Sequence, residues 1–128
     1  MSPPLPDAEL LAAADAAAER AYAPYSNFNV GCAVLARDGR VIEGVNVENA
    51  AYPLGVCAER TAFSRAVAEG YRPGDLVAAA ITASPCGGCR QWLLEMGVER
   101  VVFRNGGRVV TMTPDELLPE SFDSSKLS

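Results

Sequence analysis

The chain contains no histidine among its 128 residues. Histidine is the most common metal ligand and the most common general base in proteins, so its absence removes the usual candidate for both tasks. Any metal binding or proton transfer must therefore depend on the 4 cysteines and the 16 acidic residues.

Long apolar runs and basic runs are also missing. No segment has the roughly 18 consecutive apolar residues that spanning a bilayer requires, and the first seven residues have neither the basic n-region nor the apolar h-region of a secretory signal. The formal net charge is −5, and no run of lysine or arginine is long enough to follow a phosphate backbone. We therefore predict a cytoplasmic protein that has no membrane or nucleic-acid partner and acts on a small molecule.

The length of the chain and its 49% hydrophobic content fit one domain that buries its own core. We predict a single domain over residues 1–128, with a disordered tail at about residues 123–128. In a reducing compartment the cysteines are better suited to thiolate chemistry or metal binding than to disulfides.

Hydrophobic periodicity predicts three helices and five strands. The helices are expected at residues 7–21, 57–70 and 86–96, and the strands at 28–34, 41–47, 76–82, 100–103 and 108–112. Asp38-Gly39 and Asn105-Gly106-Gly107 are short turns, so each joins two antiparallel strands. The order predicts an α/β fold, a three-layer α-β-α sandwich with a mixed five-stranded sheet whose last two strands are antiparallel.

Three cysteines lie at the starts of two predicted helices. Cys86 and Cys89 are three positions apart on one helical turn, so both sulfurs can point to the same side. Cys57 begins the preceding helix, and the two helix N-termini can meet at one edge of the sheet, where α/β proteins place their sites. Helix N-termini favour thiolates. Three thiolates suit a catalytic zinc ion, which keeps its fourth position for water.

Glu59 follows Cys57 by two residues and can reach the water on the metal. Zinc lowers the pKa of its bound water to about 7, and a nearby carboxylate can take and return protons. We therefore predict that Glu59 is the proton shuttle. Arg60 and Arg90 each follow a ligand segment and are predicted to offset the charge of the thiolates; the alternative for both is a solvated helix surface.

The segments Cys57-Ala58-Glu59-Arg60 and Pro85-Cys86-Gly87-Gly88-Cys89-Arg90-Gln91 resemble the zinc signature of the cytidine deaminases, the three-Cys branch of the zinc deaminases. The similarity extends in family order to Tyr25-Ser26-Asn27-Phe28, Asn46-Val47-Glu48-Asn49, Tyr52-Pro53-Leu54 and Leu117-Leu118-Pro119-Glu120-Ser121-Phe122. The resemblance implies one Zn²⁺ per subunit. It also implies hydrolysis of cytidine or deoxycytidine to uridine or deoxyuridine with release of ammonia, a step of pyrimidine salvage.

The same resemblance assigns six residues to substrate binding: Phe28, Asn46, Glu48, Tyr52, Ala58 and Phe122. Asn46 and Glu48 would bind the ribose 3′-hydroxyl, although a polar pair at a strand end is also the normal appearance of a solvent-facing edge. The family forms homotetramers in which the residue matching Phe122 stacks on the pyrimidine of an adjacent subunit. The alternative is that the C-terminal segment packs on its own chain.

Three other functions are compatible with the same cysteines. The first is a deaminase for another aminopyrimidine or for a nucleoside antibiotic such as blasticidin S. The second is a non-catalytic zinc module, which leaves Glu59 without a purpose. The third is a redox protein that uses Cys86 and Cys89 and needs no Cys57. Cys32, the fourth cysteine, is interpreted as a buried small apolar residue at a position where the family often has a small one.

Overall fold

Five strands form one mixed sheet in the order β2-β1-β3-β4-β5. The structure is a computed structural model that describes residues 5–127. The strands are β1 (Gly31–Ala36), β2 (Val41–Val45), β3 (Leu76–Ile81), β4 (Arg100–Asn105) and β5 (Arg108–Met112). Only β3 and β4 pair in parallel among these strands; β1 pairs antiparallel with both β2 and β3, and β5 pairs antiparallel with β4.

Helices cover both faces of this sheet, so the fold has three layers. Helix α1 (Asp7–Ala18) packs on one face, where Leu10 and Ala14 join a buried cluster that includes Val102. Helices α2 (Ala58–Ala68) and α3 (Gly87–Met96) pack on the other face. The cluster on that side is larger and contains Phe63 and Leu93. The central strand β3 is almost wholly buried because it is covered on both faces.

The predicted three-layer fold with a mixed sheet and antiparallel final strands is confirmed. The differences lie at the ends of elements. The first helix ends at Ala18 instead of residue 21, and the second and third helices begin one residue later than expected, because Cys57 and Cys86 occupy the N-cap positions with extended backbone. Gly97 ends α3 in the left-handed conformation (φ 69°), as its position after the apolar stripe predicted.

One further short helix, α4 (Pro114–Leu117), was not predicted. Its Thr113 and Glu116 form a capping box, in which each side chain bonds the backbone N–H of the other residue. The C-terminal residues also differ from the expectation of disorder, because Ser124–Leu127 form a 3₁₀ turn in which the Asp123 carboxylate accepts a hydrogen bond from the Ser125 N–H at 2.9 Å. Ser128 lies outside the described residues.

Ion pairs attach α1 to β4 on the outer face of the sheet. The Arg100 Nε atom contacts the Asp7 carboxylate at 2.8 Å, and both terminal nitrogens of Arg104, Nη1 and Nη2, contact the carboxylate of Asp15. These groups are partly exposed, so the pairs fix the orientation of α1 more than they stabilise the fold. None of the helices described over residues 5–127 is long and apolar enough to cross a lipid bilayer.

Candidate metal centre and substrate cavity

The sulfur atoms of Cys57, Cys86 and Cys89 gather where α2 and α3 begin. All three Sγ atoms lie within 4.8 Å of one another, and the Cys57 and Cys86 Sγ atoms are 4.0 Å apart. The strand β3 between the two helices brings their N-termini to the same sheet edge, as the sequence predicted. No other group of three possible metal ligands occurs among the described residues, and Cys32 lies outside this cluster.

The donor set and its spacing fit zinc. Zn–S bonds of about 2.3 Å at tetrahedral angles place sulfurs about 3.8 Å apart, which is close to the observed separation of the Cys57 and Cys86 sulfurs. Three sulfur donors leave the fourth tetrahedral position for water or substrate. Cys89 is buried and Cys86 exposed, so the cluster is open on one side only.

Burial and neighbouring groups shift the pKa values of all three thiols in the cluster. Burial, followed by the nearby Glu59 carboxylate and Cys57, raises the pKa of the Cys89 thiol well above its ordinary value. Burial is also the main cause that raises the pKa of Cys57. At Cys86 burial acts in the same direction, but hydrogen bonds from Cys89 and Cys57 outweigh it and lower the pKa. A divalent cation would offset the negative charge that disfavours thiolates here.

Glu59 is the one buried charged residue in the described part of the chain, with 3% of its surface exposed. It lies in the first turn of α2 and lines the same cavity as Cys57 and Cys86. Burial raises the pKa of its carboxyl group above the ordinary value, and hydrogen bonds only partly oppose this shift. A carboxyl group whose pKa is raised toward neutrality is suited to accept and return protons.

A cavity of about 270 Å³ opens beside the cluster. The predicted residues Phe28, Asn46, Glu48, Ala58 and Glu59 line it. Its lining also includes residues that the sequence analysis did not assign: Ser26, Val30, Ile81, Ala83 and Ser84. Ala83 and Ser84 could have been assigned from the sequence, because they lie between a buried strand and Cys86. Loops at the carboxyl ends of strands carry sites in α/β folds.

Asn46 and Glu48 hold the loop that forms one wall of this cavity. The Asn46 side chain accepts a hydrogen bond from the Val30 N–H at 2.8 Å and donates one to the Phe28 carbonyl at 2.9 Å. The Glu48 carboxylate accepts from the backbone N–H groups of Tyr25 and Ser26 at 2.9 and 3.1 Å and from the Ser26 hydroxyl. The Ser26 hydroxyl is the main cause that lowers the Glu48 pKa.

Tyr52 and Phe122 do not line this cavity in the single chain. Tyr52 packs edge-on against Tyr25, with ring centroids 5.8 Å apart, and lines a neighbouring cavity that shares Ser26 and Glu48 with the first. Tyr52 is 74% exposed and Phe122 58% exposed. The segment that carries Phe122 is attached to α3, because the Gln91 amide donates to the Phe122 carbonyl at 2.7 Å.

The two predicted arginines occupy different environments. The Arg60 guanidinium lies directly against the first turn of α3, where a Cβ atom on Gly88 would be only 2.3 Å from it, and its Nε is buried without a hydrogen-bond partner. Arg90 donates to the carbonyls of Pro85 and Leu117 at 2.9 and 3.1 Å. Arg60 is thus placed as a positive charge between the ligand turns, whereas Arg90 joins the ligand loop to α4.

A metal held by thiolates at a cavity, with a buried carboxylate beside it, is an arrangement that activates water. The fold and this site together define a zinc-dependent hydrolase. The redox alternative does not account for the third sulfur, because Cys57 lies within the same cluster as Cys86 and Cys89.

Comparison with known proteins identifies the family. Residues 5–105 match the model of the cytidine and deoxycytidylate deaminase zinc-binding region. A cytidine deaminase from Halalkalibacterium halodurans is 45% identical over 121 residues, which cover 88% of this chain and 90% of that protein. A cytidine deaminase from Sporosarcina psychrophila is 42% identical and covers 94% and 93%. The chain therefore belongs to the cytidine and deoxycytidylate deaminase family.

A solved structure agrees with this assignment. The crystal structure of cytidine deaminase from Burkholderia pseudomallei superposes with a TM-score of 0.87 at 47% identity, covering 92% of this chain and all of that one. The resemblance predicted from the sequence motifs is therefore confirmed, and the protein is an enzyme that uses zinc.

Proposed function

We propose that this enzyme hydrolyses the exocyclic amino group of cytidine and deoxycytidine, which gives uridine or deoxyuridine and ammonia. The observation that supports this most strongly is the single cavity that joins the cysteine cluster, the buried Glu59 and the polar pair Asn46 and Glu48. Its apolar lining residues Phe28, Val30 and Ile81 suit a pyrimidine ring, and its polar residues can orient the ring and the sugar.

The metal and Glu59 divide the chemistry. When bound, zinc supplies a Lewis acid that makes water a nucleophile near neutral pH. The Glu59 carboxylate takes one proton from the attacking water and gives it to ring N3. It then takes the second proton from the hydroxyl group that has formed on C4 and gives it to the amino group, and the C4–N bond breaks as ammonia leaves. Because Glu59 is buried, it meets the reacting ring without competition from bulk water. Arg60 and Arg90 limit the negative charge near the three thiolates.

Substrate orientation comes from the opposite wall. We propose that Phe28 packs on the base, that Ala58 faces the pyrimidine edge, and that Asn46 and Glu48 bind the ribose 3′-hydroxyl. Each carboxylate oxygen of Glu48 already accepts from the loop at Tyr25 and Ser26, and the remaining lone pairs can accept from a sugar hydroxyl. Asn46 has a second amide hydrogen to donate.

The cavity favours a free nucleoside over a nucleotide. Among the described residues that line it there is no lysine or arginine, whereas Glu48 and Glu59 are both acidic. The charge of these carboxylates opposes the binding of a 5′-phosphate, and the lining supplies no cation to offset it; like charges brought together at a binding surface cost several kcal/mol.

We accordingly expect loss of ultraviolet absorbance with cytidine and with deoxycytidine, and a kcat/KM for deoxycytidylate at least about 100-fold lower. The measurement compares the three substrates on protein with zinc quantified, and includes blasticidin S and cytosine as other aminopyrimidines. Equal rates on deoxycytidylate would contradict the nucleoside assignment, and turnover of blasticidin S alone would replace it with the antibiotic substrate.

We also propose that residues 1–128 form one domain of this family, that the protein is cytoplasmic and that it acts in pyrimidine salvage. Two apolar clusters on the two faces of one sheet support a single domain. Three of the four cysteines are assigned to zinc and the fourth is buried in the core, so none is needed for a disulfide, as expected of a protein in a reducing compartment. The location is tested with a fluorescent reporter fused to one terminus of the protein. Fluorescence outside the cytoplasm would contradict the proposal.

The assembly is proposed to be a homotetramer in which Phe122 reaches the active site of a neighbouring subunit. Three aromatic side chains support an interface near the cavity because they are largely exposed in the single chain: Phe28, Tyr52 and Phe122. Phe122 does not reach the cavity of its own chain. The number of copies follows from the family resemblance and is measured by light scattering.

Complementation between an impaired variant and an inactive one tests the contribution of Phe122 in trans. Phe122→Ala is expected to lower kcat/KM by about 3- to 10-fold through loss of ring stacking. Glu59→Gln is expected to be inactive. Coexpression of the two chains should restore activity above the sum of the separate variants, because a Phe122→Ala subunit keeps Glu59 and receives Phe122 from its neighbour. Absence of restoration in a purified mixed oligomer would place Phe122 in its own chain's site or outside catalysis.

A further inference from the structure

Four paired residues form a row across the sheet beneath α2 and α3. Cys32 pairs with Gly44 on one side and with Ile81 on the other, and Ile81 pairs with Phe103. Directly paired residues present their side chains on the same face of a sheet. Three of them, Cys32, Ile81 and Phe103, belong to the buried cluster beneath these helices. Side-chain size therefore falls along the row, from phenylalanine to isoleucine, cysteine and glycine.

Helix α2 lies almost on the backbone of β2 where the row ends at Gly44. A Cβ atom at this position would be 2.3 Å from the Ala62 nitrogen and 2.5 Å from the Ala58 oxygen. Both are backbone atoms of α2, so no side-chain rotation can relieve the contact. Gly44 is not among the residues with positive φ. Glycine is therefore required here for the close approach of the helix and not for its backbone conformation.

The part of α2 that contacts Gly44 is the part that carries the chemistry. Ala58 is the first residue of the helix, Cys57 is its N-cap, and Glu59 follows directly. Cys32, the neighbour of Gly44 in the row, is completely buried. Its other partner in the row, Ile81, lines the same cavity as Glu59, so Cys32 lies beneath the site.

We propose that Gly44 and Cys32 are positioning residues whose small size sets the depth at which α2 lies on the sheet. This depth places Glu59 at the cavity and holds the Cys57 sulfur against those of Cys86 and Cys89, which α3 carries. The expected loss of kcat rests on the proposed function. The arrangement of the three sulfur ligands tests the positioning without it.

The size of the effect follows from the distances. Ordinary contacts of a Cβ atom begin at 3.4 Å, and the Cβ of alanine at position 44 would be 2.3 Å from the helix backbone, so the first turn of α2 would have to move by about 1 Å. A misplacement of about 1 Å can cost about 100-fold in rate. The close contacts at Gly44 are all with α2, so the shift would move Cys57 and Glu59 relative to the cysteines of α3 and change the arrangement of the three sulfurs.

The experiment compares two enlarged positions with two controls. Gly44→Ala is expected to lower kcat per bound zinc by about 100-fold, and Cys32→Val, which enlarges the neighbouring position in the row, by about 10-fold, with smaller changes in KM. Cys32→Ala keeps the position small and should stay within about threefold of the wild type. Leu10→Ala lies in the cluster under α1 on the opposite face, so it should lose thermal stability with kcat per bound zinc unchanged.

The Co²⁺-substituted proteins give a readout that does not depend on turnover. Co²⁺ held by three thiolates absorbs visible light in a way that reports the ligand geometry. We expect the spectrum of Gly44→Ala to differ from that of the wild type, and that of Leu10→Ala to match it. A wild type that does not deaminate cytidine would contradict the proposed function, while these spectra would still test the positioning.

Two outcomes would overturn the proposal. One is a folded Gly44→Ala protein with the kcat per bound zinc and the Co²⁺ spectrum of the wild type. If Gly44→Ala does not fold, Cys32→Val decides: wild-type kcat and spectrum in that variant overturn the proposal. Reduced kcat with an altered spectrum in Cys32→Val, together with unaltered Cys32→Ala, supports it.

Discussion

Replacing Glu59 with glutamine is expected to lower kcat by about 10²- to 10⁴-fold, the usual contribution of a positioned acid–base group. Glutamine has nearly the same shape but cannot take a proton from water or return one to ring N3. Because Glu59 is not one of the three clustered thiols, the variant should bind zinc as the wild type does. The measurement is loss of cytidine absorbance, with zinc quantified in both proteins.

The matched control is Glu9→Gln, the same chemical change on an exposed position of α1. It should leave both kcat and bound zinc unchanged. If Glu59→Gln binds zinc and keeps a kcat within about tenfold of the wild type, Glu59 is not the proton shuttle. A non-catalytic zinc module would instead give no turnover in either protein, with zinc bound in both.

Replacing Cys89 with alanine should remove both the metal and the activity. Loss of groups that only orient a ligand costs about 10- to 100-fold in metal affinity, so loss of a ligand itself should cost more than about 100-fold. Zinc content after dialysis and the rate with cytidine are measured together. Chelation of the wild type should give the same inactive state, and added Zn²⁺ should restore the wild type only.

Cys32→Ala is the control for this experiment because Cys32 is the cysteine outside the cluster. It should retain zinc with the affinity of the wild type. Retention of stoichiometric zinc by Cys89→Ala would show that this sulfur is not a ligand. Equal loss of zinc from Cys32→Ala would mean that general damage to the fold, and not loss of a ligand, explains the result.

The core of the site could be predicted because its chemistry is encoded locally. Two cysteines three residues apart at a helix start must share one side, and a second helix start carries Cys57 and Glu59. The buried strand β3 between them fixes where the two helix ends meet. These inferences need only helical geometry and the short connections of an α/β fold, and the cluster of sulfurs agrees with them.

Other features depend on how loops fold and could not be read from spacing. The hydrogen bonds from Tyr25 and Ser26 to Glu48 join residues more than 20 positions apart through an irregular segment. The carbonyl contacts of Arg90 depend on where α4 lies. Helix α4 itself is too short to show periodicity, although Thr113-Pro114 followed by Glu116 carries the capping-box and N-terminal proline signals.

The close approach of α2 to Gly44 is a further feature that could not be predicted from the sequence. A glycine two residues before Asn46 reads in the sequence as a weak point of a strand or as a bulge. Only the packed structure shows that the α2 backbone occupies the space where a side chain would lie. Pairing with Cys32 likewise becomes visible only when the register of β1 and β2 is known.

Arg90 and Gln91 couple zinc binding to the attachment of the C-terminal segment. These residues directly follow Cys89 on the first turns of α3 and bond the carbonyls of Leu117 and Phe122. Metal binding makes the first turn of α3 more rigid, so this turn loses less conformational entropy when it then binds the C-terminal segment. Zinc binding and attachment of the segment are therefore linked by a coupling free energy. Coupling of this kind is reciprocal. Zinc bound at the start of α3 is therefore expected to strengthen the attachment of the C-terminal segment to this helix, and attachment of that segment is expected to strengthen the affinity for zinc.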